Sequence, residues 1–168
     1  MGATPNLWVN LDPDLKFDDP RMADLLAYWN GKRGSRRMPS RADIDPLELK
    51  PHLGNLCLID VEPEPLRLRY RLVGSHITQK MGRDATGRWY DELYSGELLR
   101  DILASFHWII EHRAPLRTYG QAFYPDRQFY RYEIINLPLS DDDDKINMVL
   151  GTLLFKLAPA GAPATGSG

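Results

Sequence analysis

Hydrophobic positions first fall into step just after residue 20. Met22, Leu25, Leu26 and Trp29 recur at i, i+3, i+4 and i+7, which puts one apolar stripe along a helix. Asp19 before Pro20 supplies an N-cap and a proline at the first helical position, where no backbone N–H is needed. Asn30-Gly31 supplies a stop, so the spacing predicts an amphipathic helix over 20–30. Upstream, Pro5, Pro13 and scattered apolar residues show no period, and residues 1–19 read as a mobile or docking arm.

Beyond residue 55 the period shortens. Leu56-Cys57-Leu58-Ile59-Asp60-Val61 reads as a buried strand, and Glu62-Pro63-Glu64-Pro65 as a turn. The next run alternates: Leu66, Leu68, Tyr70 and Leu72 on one face, Arg67, Arg69 and Arg71 on the other. Gly74, Gly82 and Gly87 break the pattern between 74 and 94, where short helical turns are expected. A long helix follows over about 97–112, with Leu99, Ile102, Leu103, Phe106, Ile109 and Ile110 on its apolar face. His107 lies on its flank, Trp108 nearly opposite the stripe, and Pro115 ends it. Three strand-like runs, 116–123, 129–139 and 146–157, close the pattern. The last is apolar on both faces and belongs in mid-sheet. Residues 158–168, all Ala, Pro, Gly, Ser or Thr, read as a disordered tail. This order predicts an α+β architecture: a five-stranded antiparallel sheet with helices gathered on one face, plus the N-terminal amphipathic helix.

Composition narrows the class. With 168 residues, 43% hydrophobic and 26% charged, the chain suits one globular domain over 20–157. The 21 Lys and Arg against 23 Asp and Glu give no basic field for nucleic acid. No stretch approaches the ~20 apolar residues that span a bilayer. A single cysteine, Cys57, forms no internal disulfide and fits a cytoplasmic setting.

Between the first helix and the strands lies Met38-Pro39-Ser40-Arg41-Ala42-Asp43-Ile44-Asp45-Pro46, a rigid connector in which Asp43 or Asp45 caps a turn beginning at Pro46. It comes with Tyr28-Trp29, Arg33-Gly34, Asn55-Leu56, the run 69–74, Gly82, Thr86-Gly87 and the run 137–140. Together these resemble the signature of a bacterial PAS-type family once catalogued as a domain of unknown function, and they extend over residues 20–157. Its signature positions here are Pro39, Arg41, Asp43, Asp45 and Pro46. The resemblance implies a PAS fold, used in other proteins to sense small molecules or bind signalling proteins, notably histidine kinases. It brings no cofactor pattern that transfers residue by residue.

Candidate sites follow from that shape. A cavity between sheet and helices would be lined by Leu58 or Ile59, Tyr70, Leu72, Ile77, Met81, Trp89, Phe106, Ile110, Tyr132 and Ile134, and would take a small apolar ligand. The alternative is a filled core. The stripe Arg67, Arg69 and Arg71, with Trp29 and Trp108, forms the candidate interaction surface, for a signalling partner or a second copy of the chain. The arginines could equally pair with the protein's own acids, such as Asp24, and Trp108 could be covered by Trp8 or Leu11 of the arm.

Catalytic and metal chemistry find little footing. Gly-x-Ser-x-Gly and His-Glu-x-x-His are absent, and residues 82–87 lack phosphate-loop spacing. His107 and His112 are five apart and share no helix face; haem at His107 is not expected. Asp141-Asp142-Asp143-Asp144 lacks calcium-loop spacing and reads as a solvated turn. The expectation is a stand-alone, non-enzymatic sensory or adaptor module whose signal leaves through a protein surface. A small enzyme or carrier on the same fold, and a ligand-free dimerisation module, are the alternatives.

Overall fold

The computed structural model describes residues 6–7, 9–123 and 129–157. The expected disordered tail and Trp8 lie outside the described residues. Along the chain run β1 (Asn6–Leu7), β2 (Asn10–Asp12), α1 (Pro20–Arg33), β3 (Leu56–Pro63), β4 (Leu66–Val73), α2 (Ser75–Met81), α3 (Tyr90–Leu93), α4 (Gly96–His112), β5 (Leu116–Phe123), β6 (Phe129–Leu139) and β7 (Met148–Leu157). Among the described residues these strands form one antiparallel sheet in the order β1-β5-β6-β7-β3-β4, with β2 also on β5. The doubly apolar β7 is central, as its composition requires. The arm is of the docking kind: β1 and β2 add two short strands to the exposed edge of β5, raising the strand count above five.

Side chains alternate along a strand, so each sheet face can be read by parity. On β6, Tyr132, Ile134 and Asn136 face a cavity beneath α4, while Glu133 and Ile135 face the other way. The helix α1 covers that second face. Asp19 caps it by accepting from Arg21 N at 3.0 Å, and it runs through Asn30-Gly31 to Gly34, whose φ of 59° suits glycine. Gly31 keeps a helical backbone rather than a left-handed one, so it does not end the helix. Met22, Leu25 and Trp29 form its buried stripe, each side chain contributing about 1.5–3 kcal/mol. The Trp29 indole N–H donates to the Pro138 carbonyl at 2.8 Å and is 3% exposed.

One buried arginine ties the arm to this face. The Arg117 guanidinium, its side chain 5% exposed, meets Glu133 Oε2 at 2.6 Å, Asp12 Oδ2 at 3.1 Å and Asp18 Oδ2 at 3.2 Å. Glu133 also accepts from the backbone N–H groups of Asp18 and Asp19, at 2.8 and 3.0 Å. The carboxylate therefore holds the chain just before α1 while the arginine holds it at β2.

The connector is rigid for reasons only partly local. Ser40 and Asp43 form a capping box around a 3-10 turn at Arg41–Asp43, Asp45 accepts from Leu47 N at 2.9 Å, and Tyr28 Oη accepts from Asp45 N at 3.0 Å. Arg41 donates to the Ile44 carbonyl, and Pro46 opens the next turn through Leu49 N. Met38 and Pro39 are fully buried, and Ser140 N donates to the Pro39 carbonyl. The acidic run is the exposed turn expected, and it also clamps the connector. Asp143 Oδ1 accepts from Arg37 N and Met38 N at 2.9 and 3.0 Å, Asp142 accepts from Asp144 N and Lys145 N, and Asp144 pairs with Arg113.

Candidate ligand cavity

Between the sheet and α2, α3 and α4 lies a cavity of about 500 Å³. Cys57 and Ile59 of β3, Tyr70 of β4, and Ile134 and Asn136 of β6 form its floor. Gly151 lies in the same central row, and a Cβ there would come within 2.9 Å of both Asn136 Oδ1 and Cys57 Sγ. The roof comes from α4, through Leu98, Ile102, Ser105 and Phe106. Ser105 sits on this apolar wall because its hydroxyl donates to the Ile102 carbonyl at 2.6 Å. Leu153 and Phe155 of β7 divide the cavity from a smaller one of about 290 Å³ beside Asn55, His76 and Gln79.

Three tyrosines cluster on one wall of the cavity, whose other neutral polar lining residues are Ser105, Thr118, Tyr132, Asn136 and Thr152. Tyr70 and Tyr90 stack with centroids 4.4 Å apart, and Tyr94 and Phe106 approach Tyr90 edge-on at 5.5 and 6.2 Å. The Tyr70 and Tyr94 hydroxyls share a 3.0 Å hydrogen bond. Tyr70 is also hydrogen-bonded to Tyr90, so the three phenols form one network. Burial raises all three well above or above the ordinary tyrosine value, and they stay phenols. Burial likewise pushes the Cys57 thiol up to about 12, so it behaves as a small apolar group. Among the described residues no Asp or Glu lines the larger cavity; Lys80 and Arg83 are its charged wall residues, and with Gly82 they are the exposed ones. They mark the mouth, from the last turn of α2 into the segment that follows it.

Of the residues assigned to the pocket from sequence, Ile59, Tyr70, Met81, Phe106, Tyr132 and Ile134 line the cavity. Four others do not. Leu72 is 54% exposed: a bulge opposite Leu58 and Ile59 makes Arg71 an extra residue and turns Leu72 to the outer face, paired with Leu58. Trp89 sits outside β4, its ring under the Arg67 and Arg69 guanidinium groups at 4.0 and 5.3 Å. Ile77 is buried but lines the smaller cavity, and Ile110 packs on the core from another side of α4. Sequence reasoning missed Tyr90 and Tyr94; their spacing, i and i+4, was the available signal.

The surface residues are mostly engaged within the chain. Arg67 pairs with Asp91 at 2.8 Å, and Arg69 and Arg71 with Asp60 at 2.8 and 3.6 Å, so the partners are acids of β3 and α3 rather than Asp24. Trp29 is core, not surface. Trp108 is half-buried and stacks on His112 at 4.1 Å. His107 is exposed and lines neither cavity, so it supplies no axial ligand to either. Among the described residues no cluster of His, Cys, Asp and Glu is arranged for a metal.

An antiparallel sheet cradling a cavity beneath a long helix, with a second helix packed behind the sheet, is the architecture of the PAS class. A family model for the PAS domain matches residues 17–154, and the chain belongs to that family. No curated protein matches it. Among solved structures, "Structure of an RNA-binding Light-Oxygen-Voltage Receptor" is similar with 13% identity and a TM-score of 0.49, over 90% of this chain and 39% of that one. The chain thus spans well under half of that receptor.

Proposed function

We propose that this PAS domain senses a small, largely apolar molecule held in the 500 Å³ cavity, and passes the signal by protein contact, to a histidine kinase or a comparable signalling partner. The observation that carries the reading is the cavity itself: a wall of apolar and aromatic side chains with a few converging hydroxyls is what a small-molecule site requires. The strands offer a route outward. Thr118 lines the cavity while its neighbour Arg117 holds the arm; Tyr132 lines it while Glu133 holds the start of α1. A shift of either strand acts on both faces.

The test is native mass spectrometry of the freshly purified chain, followed by calorimetry with apolar compounds of cavity size, each compared with Ile102→Trp, which fills the cavity. Binding that disappears in the filled variant, with its circular dichroism unchanged, supports the reading. Binding that survives the filling, or no binding of any compound, overturns it.

A further inference from the structure

The cavity wall is apolar and neutral-polar except at its mouth, where the two charged lining residues are both cations. Lys80 and Arg83 both line it, both are exposed, and neither is ion-paired among the described residues. Among the described arginines, Arg21, Arg36, Arg67, Arg69, Arg71, Arg88, Arg113 and Arg117 meet carboxylates while Arg33, Arg37, Arg41, Arg100 and Arg131 do not, so what sets Lys80 and Arg83 apart is their place at the cavity mouth. Two acids of the neighbouring elements do not line the cavity. Asp84 accepts from the Thr86 N–H and hydroxyl, at 3.0 and 2.7 Å, and does not line the cavity. Asp101 lies on α4 facing Tyr132, outside the wall.

We infer that the ligand is an amphipathic monocarboxylic acid, its apolar or aromatic body among Tyr90, Phe106, Ile102 and Ile134 and its carboxylate at Lys80 and Arg83. This rests on the reading of the cavity as a ligand site. Both cations are solvated at the mouth, where the head of a ligand seated in the cavity would meet them, and an anionic head gains charge-assisted contacts there that a neutral one does not. A doubly charged head is less suited, because Lys80 sits in the last turn of α2, whose terminal carbonyls are negative. Arg83 offers the planar fork that matches a carboxylate, and Lys80, 4.3 Å above the Tyr130 ring, a point charge beside it.

The probes are phenylacetate, 4-phenylbutyrate and octanoate, each with its primary amide, which keeps shape and removes charge. Calorimetry at pH 7.5 should show at least one acid binding about tenfold or more tighter than its amide, as a charge-assisted contact provides. The double variant Lys80→Met/Arg83→Met should bring that ratio within about twofold while amide affinity holds. Lys145→Met, an exposed change away from the cavity wall, should leave it intact. Equal binding of acids and amides, or a ratio unchanged in the double variant, overturns the carboxylate assignment and leaves the ligand site standing. If no acid and no amide binds, and Ile102→Trp behaves like the parent, both fall.

Discussion

Replacing Arg117 by Met tests what holds the N-terminal segment to the sheet. Methionine keeps most of the apolar stem and removes the charge. Glu133 and Asp12, with side chains 8% and 12% exposed, are then left as buried carboxylates without their cation. Glu133 retains two backbone N–H donors from Asp18 and Asp19, so it is not orphaned, but its charge is uncompensated. Breaking a buried ion pair from one side costs about 3–5 kcal/mol. At about 2–4 °C per kcal/mol for a domain of this size, the melting midpoint should fall by about 6–20 °C. Chemical denaturation measures the loss directly, and hydrogen exchange should show amides of residues 10–19 opening first. Glu133→Gln should cost less, since its carbonyl still accepts one of the two N–H groups and Arg117 keeps Asp12 and Asp18. A midpoint shift under about 2 °C for Arg117→Met would refute the argument, because it would put this network on the scale of a surface ion pair.

Asp143→Ala should destabilise by about 1–3 kcal/mol, since it removes the acceptor for Arg37 N and Met38 N and places Ala at a φ of 63°. Asp143→Asn keeps an acceptor and tolerates that backbone, so its denaturation curve should lie close to the parent's. Cys57, with its thiol pushed up to about 12, should resist iodoacetamide at pH 8 in the folded chain and react once urea unfolds it; fast labelling of the native protein would contradict its burial. The Arg21 hydrogen bond holds the Asp19 carboxyl well below its usual range despite burial, and backbone N–H groups do the same for Asp43 and Asp142. Folded values below the unfolded ~3.9 make this stability complete above that pH and lost as pH falls from about 5 towards 2. Thermal melts across that window should steepen accordingly, and Asp19→Asn should flatten the slope.

What the sequence determined by itself is what short-range physics fixes. Asp19-Pro20 with the Met22, Leu25 and Trp29 stripe specifies α1, because a cap and a 3.6-residue period need nothing from the rest of the chain. The doubly apolar β7 announces a central strand for the same reason. The Met38–Pro46 connector was visible as a motif because its turn bonds link residues three apart, such as Ser40 and Asp43. Tertiary structure decided the pairings. The Asp60 partner of Arg69 depends on the register of β3 against β4, and a single bulge in that register carries Leu72 out of the cavity. Nothing near Arg117 in sequence indicates that Asp12, Asp18 and Glu133 converge on it. Tyr70, Tyr90 and Tyr94 become one cluster only when the segment after α2 folds back along β4. An open volume is the extreme case: it is a property of how all the walls fail to meet, and no residue pattern encodes it locally.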